Sequence, residues 1–340
     1  MSTMKWLPLA VALSVLTQAA GAQVPPAPTL GKDVDAAGRP LPFGIAPRLP
    51  PDTPLGSGPR KAIMAVNSDL PAHVLYYPAD VQTGAKLPLV VWGNGACINA
   101  GNRFRSFLTE IASHGYLVAA NGVMANPELE VGPQENPKIR APGEAPAPPP
   151  PPDPKTPQRA PGRTTAAQLT ESIDWAFKAN ADPKSPFHGR VDTSKIAAMG
   201  QSCGGVQALD IAADPRITTL VIWNSGVGMM PSPRSPQSIL DTIHTPVAFV
   251  HGDQAHDIAY PASVANAQAL TKVPVFEGWQ DGMTHLGTYG AHNGGFFATI
   301  GVAWLDWRLK GDLAAARMFK GKDCTLCTAA SWHVTQKGLD

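Results

Sequence analysis

Ser202 and Cys203 stand side by side in Ala197-Ala198-Met199-Gly200-Gln201-Ser202-Cys203-Gly204-Gly205, and both side chains can be nucleophiles. A hydroxyl attacks a carbonyl when a neighbouring base takes its proton, and the base needs a carboxylate to hold its tautomer. The spacing chooses between the two nucleophiles. Gly200 and Gly204 flank Ser202 symmetrically as Gly-x-Ser-x-Gly, whereas a pattern centred on Cys203 puts Gln201 where the first glycine belongs. At the apex of a tight strand-to-helix turn the backbone is strained, and glycines two residues away keep side chains out of the crowded space. The apex hydroxyl then stands at a helix N-terminus, which favours a developing negative charge. An ordinary Gly/Ser turn is the competing account.

The acid and the base are expected on loops past later strands. Asp253 and Asp257 both lie in Gly252-Asp253-Gln254-Ala255-His256-Asp257-Ile258-Ala259-Tyr260-Pro261. Asp257 opens an Asp-x-x-x-Pro run into a helix and is the preferred acid; Asp253, nearer the strand, suits a turn cap. His285 lies in the glycine-bounded loop Gly282-Met283-Thr284-His285-Leu286-Gly287. Its rivals are His251, His256 and His292, and a structural histidine is the default for each. The chain order nucleophile, acid, base is that of serine elbows, which favours His285.

An attacked carbonyl oxygen becomes an oxyanion and needs two waiting N–H donors. The residue after the nucleophile, Cys203, supplies one. The other is expected from Gly93-Asn94-Gly95-Ala96-Cys97, with Ala96 preferred over Cys97 and a plain turn as the alternative. If these two turns converge, Cys97 and Cys203 become neighbours able to bridge.

These groups need a scaffold. Strands are expected at 72–78, 87–93, 116–121, 195–199, 219–224, 246–251 and 273–278, several of them nearly all apolar. Helices are expected at 102–114, 164–179, 203–213, 261–270 and 295–310. Continuous apolar strands alternating with helices imply an α/β fold, with a mostly parallel central sheet covered on both faces.

Composition narrows the class. The chain has 340 residues, 44% of them hydrophobic, and a formal charge of +1, so no basic surplus points to nucleic acid or an acidic membrane. Residues 1–22 read as a secretory signal, with Lys5, a short apolar run and Ala20-Gly21-Ala22 as cleavage site; a membrane anchor is the lesser reading. Residues 23–60 read as a Pro/Gly-rich arm, and 61–340 as one domain interrupted by a Pro-rich insertion at 126–162. Export implies an oxidising compartment for the four cysteines. Cys324-Thr325-Leu326-Cys327 lies in a polar tail and suits a small disulfide better than a redox or zinc pair. No metal or cofactor is expected, because Asp, His and Cys do not recur at ligand spacings.

The segments around Gly93–Cys97, Gly200–Gly205, Asp257 and Gly282–His285 resemble the α/β-hydrolase superfamily, over roughly residues 61–310. The nearest likeness is to secreted esterases of the dienelactone-hydrolase, cutinase and polyester-hydrolase kind. The resemblance implies Ser-His-Asp esterase chemistry on a small-molecule or polymeric ester. It implies Trp223 beside the substrate, with Gly95 and Met283 on the same wall. Two positions depart from the polyester hydrolases, Ala96 and Gln201, where those enzymes often carry aromatics; Ser202 departs from dienelactone hydrolases, which use cysteine. The segment from Gly226 to Asp241 is too short for a separate lid domain, so the site is expected to be open. A non-catalytic binding protein and an acyltransferase are the other readings, and neither a protein partner nor an oligomeric state follows from the sequence.

Overall fold

A strand of unbroken apolar residues fits only where both faces of the sheet are covered, and the run Leu87–Gly93 is buried at every position. The computed structural model describes residues 49–125, 162–230 and 234–339. The expected signal at 1–22, the expected arm up to residue 48 and the expected insertion from 126 to 161 lie outside the described residues. The strands are β1 (Ala62–Ala65), β2 (His73–Pro78), β3 (Leu87–Gly93), β4 (Leu117–Asn121), β5 (Val191–Gln201), β6 (Thr219–Trp223), β7 (Val247–Gly252), β8 (Val275–Gln280) and β9 (Trp332–Lys337). The helices are α1 (Arg105–Ser113), α2 (Ala166–Ala181), α3 (Cys203–Asp210), α4 (Pro236–Leu240), α5 (Tyr260–Ala269), α6 (Gly295–Lys310) and α7 (Leu313–Ala316). Among the described residues no helix is long and apolar enough to cross a membrane.

The nine strands form one sheet in the order β1-β2-β4-β3-β5-β6-β7-β8-β9. Strands β4 to β8 along this order, with β3, run parallel; β1, β2 and β9 are antiparallel additions at the edges. The fold is α/β with a mostly parallel sheet. Each expected strand is present, although β8 begins two residues later than the periodicity suggested. Strands β1 and β9 and the short helices α4 and α7 were not anticipated.

Side-chain parity along the strands sorts the core into two layers. Val90 and Trp92 of β3, with Val221 and Trp223 of β6, pack with Phe107 and Ile111 of α1 and with Phe297, Trp304 and Leu305 of α6. Leu89 and Val91, with Leu220 and Ile222, pack on the opposite face with Leu169 and Ile173 of α2, Leu209 of α3 and Ile239 of α4. Helices therefore cover both faces. Thr165 and Gln168 close a reciprocal capping box that starts α2, and Gly311, at φ 75°, ends α6 in the left-handed conformation.

Two ends of the chain depart from the sequence reading. Residues 49–60, assigned to the arm, are held on α1: buried Arg105 donates to the carbonyls of Leu49 and Pro50, and Glu110 accepts from Ser57 N–H at 2.6 Å. The stretch after α6 is not a polar tail. Phe319, Cys324 and Leu326 are buried in the core, Cys324 and Cys327 form a disulfide, and β9 completes the sheet beside β8.

His73 on β2 is wholly buried, and its Nε2 lies 2.9 Å from the Gln168 carbonyl. Burial lowers its pKa, outweighing that hydrogen bond and the charge of Glu171. The unfolded chain therefore binds the proton more readily, so His73 contributes stability above about pH 6.5 that is lost as pH falls through the folded pKa. A His73→Phe variant is expected to lose less Tm than wild type between pH 7 and 5. Equal losses would remove His73 as the cause.

The arrangement of the sheet also locates a crevice. From β3 the chain moves to β4 on one side and then crosses to β5 on the other, so the connections diverge above the carboxyl ends of β3 and β5. Gly93 pairs in register with Gly200 there, which sets the turn after β3 beside the turn after β5.

Candidate active site

Ser202 occupies the apex between β5 and α3, at φ 53° and ψ −121°. Such a backbone costs a non-glycine residue about 1–3 kcal/mol, which the surroundings must offset. They do so with hydrogen bonds: Ser202 N–H donates to the Trp223 carbonyl at 3.0 Å, and Ser225 Oγ donates to the Ser202 carbonyl at 2.6 Å. The flanking glycines are sterically required. A Cβ on Gly200 would lie 2.3 Å from the Gly204 carbonyl oxygen, and one on Gly204 would lie 2.0 Å from the Gly93 carbonyl. The turns after β3 and β5 thus touch backbone to backbone.

His285 Nε2 lies 2.9 Å from Ser202 Oγ, and its Nδ1 lies 2.7 Å from Asp257 Oδ1. With Nδ1 donating to the carboxylate, Nε2 is left to accept the serine proton. The His285 side chain is 19% exposed while Asp257 is buried beneath it. Asp257 Oδ1 also accepts from Ala259 N–H at 2.8 Å, and Oδ2 accepts from Gly252 N–H at 2.8 Å and Asn224 Nδ2 at 2.7 Å. Burial pushes this carboxyl up, but the His285 hydrogen bond and charge, the Ala259 N–H and the Asn224 amide outweigh it and hold the pKa below the usual range. The acid is therefore ionised at neutral pH.

The competing residues have other partners. Asp253 caps its own loop, accepting from Ala255 N–H and His256 Nδ1, and it holds Gly282 N–H at 2.6 Å at the start of the His285 loop. His251 is buried between Glu277 and the Gly252 carbonyl. His292 sits in a 3-10 turn ahead of α6.

The 3-10 turn Gly95–Cys97 carries the left-handed residues Ala96 and Cys97, at φ 55° and 48°. Cys97 N–H is used within the turn, donating to Asn94. Ala96 is exposed, and neither its N–H nor that of Cys203 has an acceptor among the described residues. Ala96 therefore fits the second donor better than Cys97. Behind the turn is a wholly polar brace. Asn94 Nδ2 donates to the carbonyls of Asn121 and Ala100, Asn121 donates to Gln207 Oε1, and Gln207 donates to Thr164.

Cys97 and Cys203 form a disulfide, with Cα atoms 5.3 Å apart. It ties the turn after β3 to the first residue of α3 across a sequence separation of 106. For a loop of that size, cross-linking removes enough denatured-state entropy to add about 3–5 kcal/mol. A Cys97→Ala/Cys203→Ala double variant is expected to melt on the order of 10 °C lower while folding to the same structure. An unchanged Tm would show that the bridge adds no net stability.

Three residues expected on the substrate wall are placed elsewhere. Trp223 is fully buried, its ring 5.3 Å from both Phe107 and Phe297, because strand parity sends it into the α1/α6 layer. What it offers the site is its carbonyl, which pins Ser202. Met283 is likewise buried in that core. Gly95 is buried under Gln201, whose Oε1 lies 1.9 Å from where a Cβ would stand, so its glycine makes room for Gln201.

Other site residues were not anticipated. Gln201 also donates to the His285 carbonyl at 3.0 Å, so it links the turn after β3 to the histidine loop. Asn224 and Tyr289 extend the contacts of Asp257 inward. Exposed Arg163 places its guanidinium 3.6 Å from Cys203 Sγ, at the rim of the site. The only sequence signal was a polar residue, Asn224, closing an otherwise buried apolar strand.

Together these groups can deprotonate a hydroxyl, stabilise the resulting imidazolium and receive an oxyanion. No model of a known protein family matches the chain, and no curated protein matches it.

Proposed function

We propose that this protein is a serine hydrolase of the α/β-hydrolase fold that cleaves carboxylic esters through an acyl-enzyme. The observation that carries the reading is the continuous contact from Ser202 Oγ to His285 Nε2 at 2.9 Å and from His285 Nδ1 to Asp257 Oδ1 at 2.7 Å. In this reading Ser202 Oγ attacks the ester carbonyl as His285 takes its proton, and the Ala96 and Cys203 N–H groups receive the oxyanion. His285 then protonates the leaving alcohol. A water molecule, activated by the same imidazole, attacks the acyl-serine and regenerates the hydroxyl.

Exposure of the His285 ring supports hydrolysis over acyl transfer, since water reaches the base. A binding protein without activity would not need an ionised carboxylate buried behind a histidine. Ala96, Gln201 and the buried Trp223 supply no aromatic platform to the site, which favours aliphatic over aromatic esters. The two disulfides and the N-terminal segment 1–22 support a secreted or periplasmic location.

The test is a panel of p-nitrophenyl esters of rising acyl length beside one bulky aromatic ester, run with fluorophosphonate labelling. Turnover of the aliphatic esters and label on Ser202 are expected. Absence of both would refute the hydrolase reading, and the acyl length of fastest turnover would define the substrate class.

A further inference from the structure

The contacts that start at Ser202 do not end at Asp257. Asn224 Nδ2 donates to Asp257 Oδ2 at 2.7 Å and to the carbonyl of Thr284, the residue before His285, at 3.3 Å. Asn224 Oδ1 accepts from the Tyr289 hydroxyl at 2.5 Å. Both side chains are buried. The amide has only one sensible orientation, because its nitrogen faces two acceptors and its oxygen faces a hydroxyl.

Tyr289 is in turn immobilised. Its ring lies among Trp92, Phe104, Phe107, Trp223 and Phe297, with centroids 5.2 to 6.4 Å away. Burial first, and the charge of Asp257 second, push the phenol far above its ordinary pKa, so it stays a donor. Asn224 itself sits at φ 42°, immediately past β6, a conformation that asparagine tolerates better than most residues.

We propose that Asn224 and Tyr289 are positioning residues of the hydrolase, Tyr289 fixing the Asn224 amide and Asn224 fixing the Asp257 carboxylate. The assignment rests on the reading of Ser202, His285 and Asp257 as a working triad. The physical case is one of donor supply. Oδ1 of Asp257 is shared by Ala259 N–H and His285, whereas Oδ2 has Gly252 N–H and Asn224. Without the amide, Oδ2 keeps one donor in a buried place, and the carboxylate is held less firmly against rotation. Its charge is also less neutralised, so it holds the protonated form of His285 more tightly. Neither residue belongs to the surface that a substrate meets, so the effect falls on kcat and on the pH profile, not on KM.

The full chain tests this with two variants. Tyr289→Phe keeps the ring and deletes the hydroxyl; Asn224→Gly deletes the amide at a positive φ that glycine adopts freely. With a p-nitrophenyl ester, kcat is expected to fall about tenfold in the first and about 10²-fold in the second, with KM within about twofold of wild type. The acid limb of the kcat/KM profile is expected to move to higher pH in both. Adding Tyr289→Phe to Asn224→Gly is expected to change nothing further, because Tyr289 acts only through Asn224. Folded single variants with wild-type kcat overturn the proposal, as does a Tyr289→Phe effect that persists undiminished in the Asn224→Gly background. A lowered Tm with an unmoved acid limb also overturns it, as the mark of a purely structural role. A wild type that neither turns over esters nor takes label at Ser202 overturns the hydrolase reading and this assignment with it; an active, labelled wild type beside silent variants overturns the assignment alone.

Discussion

Ser202→Ala is expected to leave a folded protein whose ester turnover is lower by about 10³-fold or more. The substitution removes one oxygen that lies 2.9 Å from His285 Nε2, while the hydrogen bonds that hold residue 202 run through its backbone. The apex therefore keeps its conformation, and Tm is expected to stay within a few degrees. Fluorophosphonate label should vanish with the hydroxyl. Substantial residual turnover, or label recovered on another residue, would disprove the assignment of the nucleophile. Cys203 is not a substitute, because its sulfur is committed to the bridge with Cys97.

The second large effect separates the two aspartates. Asp257→Asn is expected to cut kcat by about 10⁴-fold, because an amide facing Nδ1 no longer stabilises the imidazolium and permits the wrong tautomer. It also leaves Gly252 N–H, Ala259 N–H and Asn224 Nδ2 converging on a group that has lost its charge and half its acceptor capacity. Asp253→Asn is expected to be mild, within about threefold in kcat, since the amide oxygen still accepts from the Ala255 and His256 N–H groups and only the Gly282 N–H loses its acceptor. The comparison is made on two folded variants with one ester, and a reversed ranking would move the role to Asp253. The depressed pKa of Asp257 also has a stability consequence. A folded pKa below the unfolded one contributes stability that is complete above about pH 4 and is lost as pH falls through the folded value. Asp257→Asn should therefore flatten part of the acid-side fall in Tm.

Much of the molecule was legible from residue types in order. The buried strands declared themselves because a strand covered on both faces must be nearly all apolar, as Leu87–Gly93 and residues 220–223 are. The elbow was legible because only glycine survives where Gly200 and Gly204 meet the opposing backbone. The choice of Asp257 over Asp253, and of His285 over its rivals, followed from loop position and chain order, and the geometry places these residues together.

The edges were less legible. Strand β1 is only four residues long, β9 alternates weakly among polar residues, and Cys324 and Leu326 lie in a loop whose burial depends on a core built by residues far away in sequence. Trp223 shows the same limit at the site itself. Its place at the end of β6 was plain, but whether its ring faced the crevice or the core depended on the layer beneath it, which α1 and α6 supply. The contact between Asn224 and Tyr289 was invisible for a related reason. They are separated by 65 positions in the chain, and a hydrogen bond between them exists only once β6 and the loop before α6 are packed against one layer. The sequence by itself determined the central strands and the tight turn at Ser202, through periodicity and local sterics, and it ranked Asp257 and His285 above their rivals by loop position and chain order. The tertiary structure alone decided which side chains point into the crevice and which stand behind it, because that depends on the parity and packing of elements the chain brings together only when it folds.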